Sequence, residues 1–177
     1  MMLNSTRGPF NVRQGEFRVS NNPSDRFFCV LGSCIATVFH DPVARIGGMN
    51  HFLLPGQDPS ASAEVKYGAH AMEQLVNALL RAGAAKSRLE ASLFGGAKVI
   101  RVGPPIGANN ARFAQEFIRQ EGFRLTSCDV GGTYGRRLAF MPSTGATKID
   151  VLRETAALPR TSTPAQSQRP SGSIELF

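Results

Sequence analysis

The order of elements in this 177-residue chain predicts an α+β fold, a layered mixed β-sheet core with two principal helices. Two observations carry that expectation. Short runs rich in β-branched and aromatic residues, bounded by Gly, Pro, Asn and Asp, recur along the chain. Only two stretches show helical periodicity, so strands and helices do not alternate as a regular βαβ series would require. Hydrophobic residues make up 42% of the chain and charged residues 19%, enough apolar surface for one core. Trp is absent, so the core relies on the twelve Phe with Leu, Val, Ile and Ala.

Residues 1–14 read as loosely ordered, and GEFRVS (15–20) as a first strand. NNPSD (21–25) is a turn signal. FFCVLGSC (27–34) is apolar but broken by Gly32 and Ser33, and IATVF (35–39) reads as a strand. HDPVAR (40–45), with Asp41-Pro42 at its centre, is a turn. IGGMNHFLLP (46–55) returns as the next strand, and residues 56–63 form a loop. From about Glu64, Met72, Leu75, Val76, Leu79 and Leu80 lie on one helical face, and Gly83 ends it. LEASLF (89–94) is a strand stopped by Gly95-Gly96, and VIRVG (99–103) is expected to continue the sheet. Asn109 or Asn110 is the expected cap of the second helix, with Phe113, Phe117 and Ile118 facing inward and Gly122 just past its end. RLTSCDV (124–130), RRLAFM (136–141) and ATKIDVL (146–152) are strands, the last two joined by the turn PSTG. The boundaries expected are a single domain over 1–152 and a disordered tail, rich in Ser, Thr, Pro and Gln, over 153–177.

The N-terminal MMLNSTRGPF lacks the apolar stretch of a signal peptide, and no apolar run is long enough to span a bilayer. A soluble, cytoplasmic protein with reduced thiols is therefore expected. The three cysteines show neither CxxC nor Cys/His zinc spacing, so no metal or cofactor is expected. The net charge is +7; three Arg against two Glu from Arg153 onward leave about +6 on the body. That excess favours an acidic partner. It forms no basic stripe and accompanies no recognition-helix motif, which argues against nucleic acid.

The candidate chemistry lies at Cys34 and His51. A hairpin centred between Pro42 and Val43 would set these residues directly opposite, on one sheet face. An imidazole beside a thiol favours a thiolate–imidazolium pair, and the thiolate would attack a carbonyl. Backbone N–H groups of Gly32, Ser33 and Cys34 are the candidate oxyanion donors. A lone Cys in an apolar run is more often a core residue, and a His on an apolar strand is more often structural. Juxtaposition leaves both readings open. Cys29 and Cys128 read as core thiols, His40 and His70 as surface residues, and Arg136 and Arg137 as strand-surface charges. FGGAK (94–98) and VGGTYGRR (130–137) match no phosphate-loop spacing and read as tight turns.

LGSC (31–34), GGMNHFLLP (47–55), YGxxAMEQLVNALL (67–80), LFGGAKV (93–99), IGANN (106–110) and DVGGTYGRRLAFMPSTG (129–145) occur in one order. Together they resemble the CheD family, the chemoreceptor glutamine deamidases of bacterial chemotaxis. The resemblance implies a cysteine-hydrolase-like fold. It also implies conversion of glutamines on methyl-accepting chemotaxis receptors to glutamate, with receptor methylesterase activity in some members. Cys34 falls on the family nucleophile and His51 on the family base, with no cofactor. It further implies a CheC-type phosphatase as a second partner, so that the alternative is an adaptor with little catalysis. Family members commonly carry a threonine five or six residues before the cysteine to orient the histidine. Here those positions are Cys29 and Phe28, which leaves a backbone carbonyl as the substitute acceptor.

Overall fold

The computed structural model describes residues 8–54 and 62–153. In chain order the elements are β1 (Pro9–Asn11), β2 (Phe17–Ser20), β3 (Arg26–Leu31), β4 (Ile35–Asp41), β5 (Ile46–Phe52), α1 (Ser62–Arg81), β6 (Glu90–Gly95), α2 (Ile106–Gln120), β7 (Arg124–Val130), β8 (Gly135–Met141) and β9 (Ala146–Leu152). The α+β expectation is met. The expected 56–63 loop lies largely, and the 153–177 tail almost wholly, outside the described residues.

The strands form two sheets, ordered β1-β3-β8-β9 and β2-β5-β4-β6-β7. Both are mixed: β1 runs parallel to β3, and β6 parallel to β7. The layers follow from the strand period of two. On β4, Ile35 and Phe39 face a core shared with Met72, Leu75 and Leu79 of α1 and Ala114 and Ile118 of α2. Ala36 and Val38 face the other way, into a second core with Phe27, Cys29, Leu31, Leu138 and Phe140 of the first sheet. The central strands β4 and β5 are thus buried on both faces. Gly47 and Gly48 let both layers approach β5. A Cβ at Gly47 would lie 2.5 Å from the Pro142 carbonyl oxygen, and one at Gly48 would lie 2.7 Å from Leu75.

Several expectations are corrected. Residues 8–14 are not loose: Pro9–Asn11 pair with Arg26–Phe28, and Val12 is fully buried. Three residues are too few to show a period of two, but pairing with β3 and burial of Val12 order them. VIRVG does not continue the sheet; Val99, Ile100 and Val102 are exposed on a loop. Neither Asn109 nor Asn110 caps the second helix, which begins at Ile106 with Pro105 at the cap position. Pro105 restricts the residue before it to extended backbone, which keeps Pro104 out of the helix. Both asparagines are buried inside it. Cys128 is exposed, because β7 is an edge strand. Arg136 is buried and paired with Asp129 at 2.9 Å.

The β4–β5 hairpin turns on Asp41. One carboxylate oxygen accepts from the N–H groups of Val43 and Ala44, and the other from the N–H of Ala85. Arg88 donates to the same carboxylate, with its shortest bond at 2.7 Å. The Arg88 guanidinium holds this fully buried carboxyl well below the usual carboxylate range, against the cost of burial. A depressed folded-state pKa contributes stability above the unfolded value of about 4, and this is lost as pH falls below it. Asp41→Asn is therefore expected to lower the melting temperature at neutral pH and to flatten the loss of stability below about pH 4. A variant curve parallel to the wild type through the acid range would contradict this role.

Candidate active site

Two corners meet at one end of the sheets. Each carries the chain from the four-stranded sheet to the five-stranded sheet. Gly32-Ser33-Cys34 connects β3 to β4, and residues 12–16 connect β1 to β2. Between β2 and β4 runs β5, which carries His51. The topology thus sets the candidate nucleophile and base at adjacent positions, and adds a segment that sequence reasoning had set aside.

The hairpin register differs from expectation by one step. His51 lies opposite Ala36, and Ile35 opposite Phe52. The turn occupies 42–45, closed by the Arg45 N–H donating to the Asp41 carbonyl at 2.8 Å. Because the Asp41 side chain binds the N–H groups that follow, the turn starts after it and is centred between Val43 and Ala44. Cys34 is therefore a diagonal neighbour of His51 on the same face, not its direct partner. Across a strand pair such a diagonal spans roughly 7–8 Å, within reach of long side chains. No hydrogen bond joins the two side chains, since the His51 Nε2 has no partner.

The orienting group for His51 is on the corner formed by residues 12–16. His51 Nδ1 lies 3.0 Å from the Val12 carbonyl oxygen. A carbonyl only accepts, so Nδ1 carries the proton and Nε2 is left as the basic nitrogen. The acceptor is a backbone carbonyl, the substitute expected for a threonine hydroxyl. The His51 backbone is gripped by the same corner: its carbonyl accepts from Gly15 at 2.7 Å, and its N–H donates to Glu16 at 3.0 Å. Burial lowers the His51 pKa, with the Val12 contact opposing, so the ring is neutral at neutral pH.

Cys34 is half-buried, and its Sγ lies 3.4 Å from Gln14 Oε1. Burial pushes its thiol up, while its own backbone N–H favours the thiolate. The resting site is therefore a neutral thiol beside a neutral imidazole, not the ion pair expected from juxtaposition alone. Cys29 is fully buried, and burial pushes its thiol to about 12, which fits the core role expected of it.

The Cys34 corner is fixed from behind. Gly96 donates to the Cys34 carbonyl at 2.7 Å and Ala97 to that of Gly32 at 2.8 Å. Gly95, at φ +108, lies so close to the Cys34 carbonyl that any Cβ would collide with it. The FGGA turn is thus the backrest of the Cys34 corner. Fully buried Asn110 donates to the Ser33 carbonyl at 2.8 Å and accepts from the Leu54 N–H at 3.0 Å. One amide therefore ties α2 to the nucleophile corner and to the segment after His51. Sequence reasoning missed Val12, Gln14 and Asn110. The signal available was the adjacent pair Asn109-Asn110, buried here rather than capping. Beside Ser33 a pocket of about 200 Å³ opens between Gly96–Ile100, Val102–Ala108 and Gly131-Gly132. Among the described residues no cluster of three His, Cys, Asp or Glu side chains could hold a metal.

Comparison with known proteins identifies the family of the chain. Residues 53–151 match the family model described as CheD chemotactic sensory transduction. A protein from Jannaschia sp. (strain CCS1), named probable chemoreceptor glutamine deamidase CheD, is 49% identical over 143 residues. That alignment covers 81% of this chain and 82% of the relative. The chain belongs to the CheD family. Proteins of the same name from Cereibacter sphaeroides and Sinorhizobium medicae (strain WSM419) are each 42% identical. Each alignment spans 94% of this chain, with 84% and 94% of the respective relatives. The family-model match begins just past His51. No helix among the described residues is long and apolar enough to cross a membrane.

Two outcomes test the site. Site-resolved alkylation of Cys34 with iodoacetamide is expected to rise with pH through a midpoint above the ordinary thiol value of 9.0; a midpoint below about 7 would contradict a neutral resting thiol. Asn110→Ala leaves the Ser33 carbonyl and the Leu54 N–H without their partner and is expected to cost about 2–4 kcal/mol in urea unfolding. An unchanged midpoint would show that the bridge holds nothing.

Proposed function

We propose that this CheD-family chain is a protein-glutamine deamidase that converts glutamine to glutamate on methyl-accepting chemotaxis receptors. Cys34 is the nucleophile and His51 the general base and acid. The observation that carries the reading is the His51 tautomer. Val12 occupies Nδ1, so Nε2 is free to take a proton on the face shared with Cys34. The relatives' name supplies the substrate class.

His51 Nε2 takes the thiol proton as Cys34 Sγ attacks the glutamine Cδ. The new C–S bond pushes the carbonyl electrons onto oxygen, where N–H groups of the Gly32-Ser33-Cys34 corner stabilise them. Collapse breaks the C–N bond, and ammonia leaves with the proton held on Nε2. Water, deprotonated by the now neutral His51, hydrolyses the thioester and leaves glutamate and the thiol. No metal or cofactor enters these steps. Val99, Ile100 and Val102, exposed at the pocket beside Ser33, would meet apolar residues flanking the target glutamine. The positive body charge would attract an acidic receptor segment, less so at high salt.

Intact-mass analysis of a receptor cytoplasmic fragment tests the reading. Each conversion adds about one dalton as NH₂ becomes OH. Cys34→Ala and His51→Ala are each expected to abolish the shift while leaving the protein folded, and full activity in either would reject the mechanism. The adaptor reading, with receptor or a CheC-type phosphatase bound and little catalysis, draws on the same exposed apolar rim. Restoration of chemotaxis by the Cys34→Ala protein in cells lacking this chain would favour it.

A further inference from the structure

The corner that orients His51 also delivers a side-chain amide to the nucleophile. Gln14 follows Val12 by two residues and immediately precedes Gly15, and both of those hold His51. Its backbone lies in a tight turn. Glu16 donates to the Arg13 carbonyl at 2.9 Å, the Glu16 carboxylate accepts from the Arg13 N–H at 3.0 Å, and Gly15 supplies the left-handed residue at φ +86. Gln14 is therefore an exposed residue on a pinned backbone, with its amide 3.4 Å from the Cys34 Sγ. The mechanism above makes no use of it.

An attacked amide oxygen must come to rest close to the sulfur that attacks its carbon, and it becomes an anion there. We infer that the Gln14 side-chain amide is a further donor of the oxyanion hole, beside the backbone N–H groups of the Cys34 corner. This rests on the deamidase reading and names a further catalytic residue for it. A primary amide suits both stages, because it carries an acceptor and two donors on one planar group. With the thiol protonated, Oε1 accepts from S–H, as observed. When the proton has passed to His51, a half-turn about Cγ–Cδ presents Nε2–H instead. That donor meets the electrons displaced from the carbonyl as the C–S bond forms, and releases them when the C–N bond breaks. Gln14 gives up no proton, and the atoms balance without it. A carboxylate at the same place would only accept and would repel both thiolate and oxyanion.

The test uses the full chain and the receptor fragment, with wild type, Gln14→Ala, Gln14→Glu and Cys34→Ala measured together. Removing one oxyanion donor is expected to lower kcat about 10²-fold with KM changed little. Gln14→Glu, nearly isosteric, is expected to be at least as impaired and to move the pH midpoint of Cys34 alkylation upward; a residue that only shaped the turn would tolerate this change. Wild-type kcat in folded Gln14→Ala protein overturns the assignment while leaving the deamidase intact. A wild-type protein that converts no receptor glutamine removes the deamidase reading and the assignment with it. Peptide mapping adds a further outcome. Glutamate at position 14 in wild-type protein but not in Cys34→Ala would make Gln14 a substrate in cis, which also overturns the role of donor.

Discussion

The contact between the Val12 carbonyl and His51 Nδ1 decides what the site can do. It selects the tautomer, and so leaves Nε2 as the basic nitrogen. It acts with two backbone hydrogen bonds, one from the Gly15 N–H to the His51 carbonyl and one from the His51 N–H to the Glu16 carbonyl, so ring and backbone are held by one short segment. That segment is in turn positioned by the parallel pairing of β1 with β3 and by burial of Val12 between the sheets. β3 leads directly into the nucleophile corner. A shift of β1 along β3 would therefore move His51 relative to Cys34.

The chemistry of the resting state follows from where this end of the molecule lies. Cys34 and His51 sit at the rim of the core between the two sheets, partly removed from water. Burial disfavours both thiolate and imidazolium, so the pair rests neutral. Charge would appear only when a substrate amide brings its own dipole and the corner N–H groups are engaged. A neutral thiol is a poor nucleophile, and this guards the site against casual alkylation or oxidation. It also places weight on donors that act only in the transition state. FGGA and Asn110 hold the Cys34 corner from behind, through its carbonyls, and leave its N–H side to the substrate.

Much of this was legible in the residues. The turn chemistry of NNPSD and PSTG and the apolar face of α1 placed most elements, and the LGSC and GGMNHFLLP motifs pointed to the candidate nucleophile and base. The hairpin register was missed by one step because it depends on Asp41 reaching N–H groups beyond Pro42 and on Arg88, 47 residues away. β1 was missed because a three-residue strand has no period, and its order comes from tertiary pairing. The loop at 99–103 looked like a strand because its apolar side chains face outward rather than inward, which composition does not reveal. The substitute for the missing threonine was a backbone carbonyl, and such a contact leaves no side-chain signature.

The most direct measurement is the His51 tautomer, read from the two ring-nitrogen resonances of ¹⁵N-histidine-labelled protein at neutral pH, with Val12 carbonyl-labelled protein to identify the hydrogen-bonded nitrogen. The account predicts a protonated Nδ1 coupled to Val12 and an unprotonated Nε2. A protonated Nε2 in the neutral ring would leave no base facing Cys34, and would contradict both the orienting role of Val12 and the mechanism built on it.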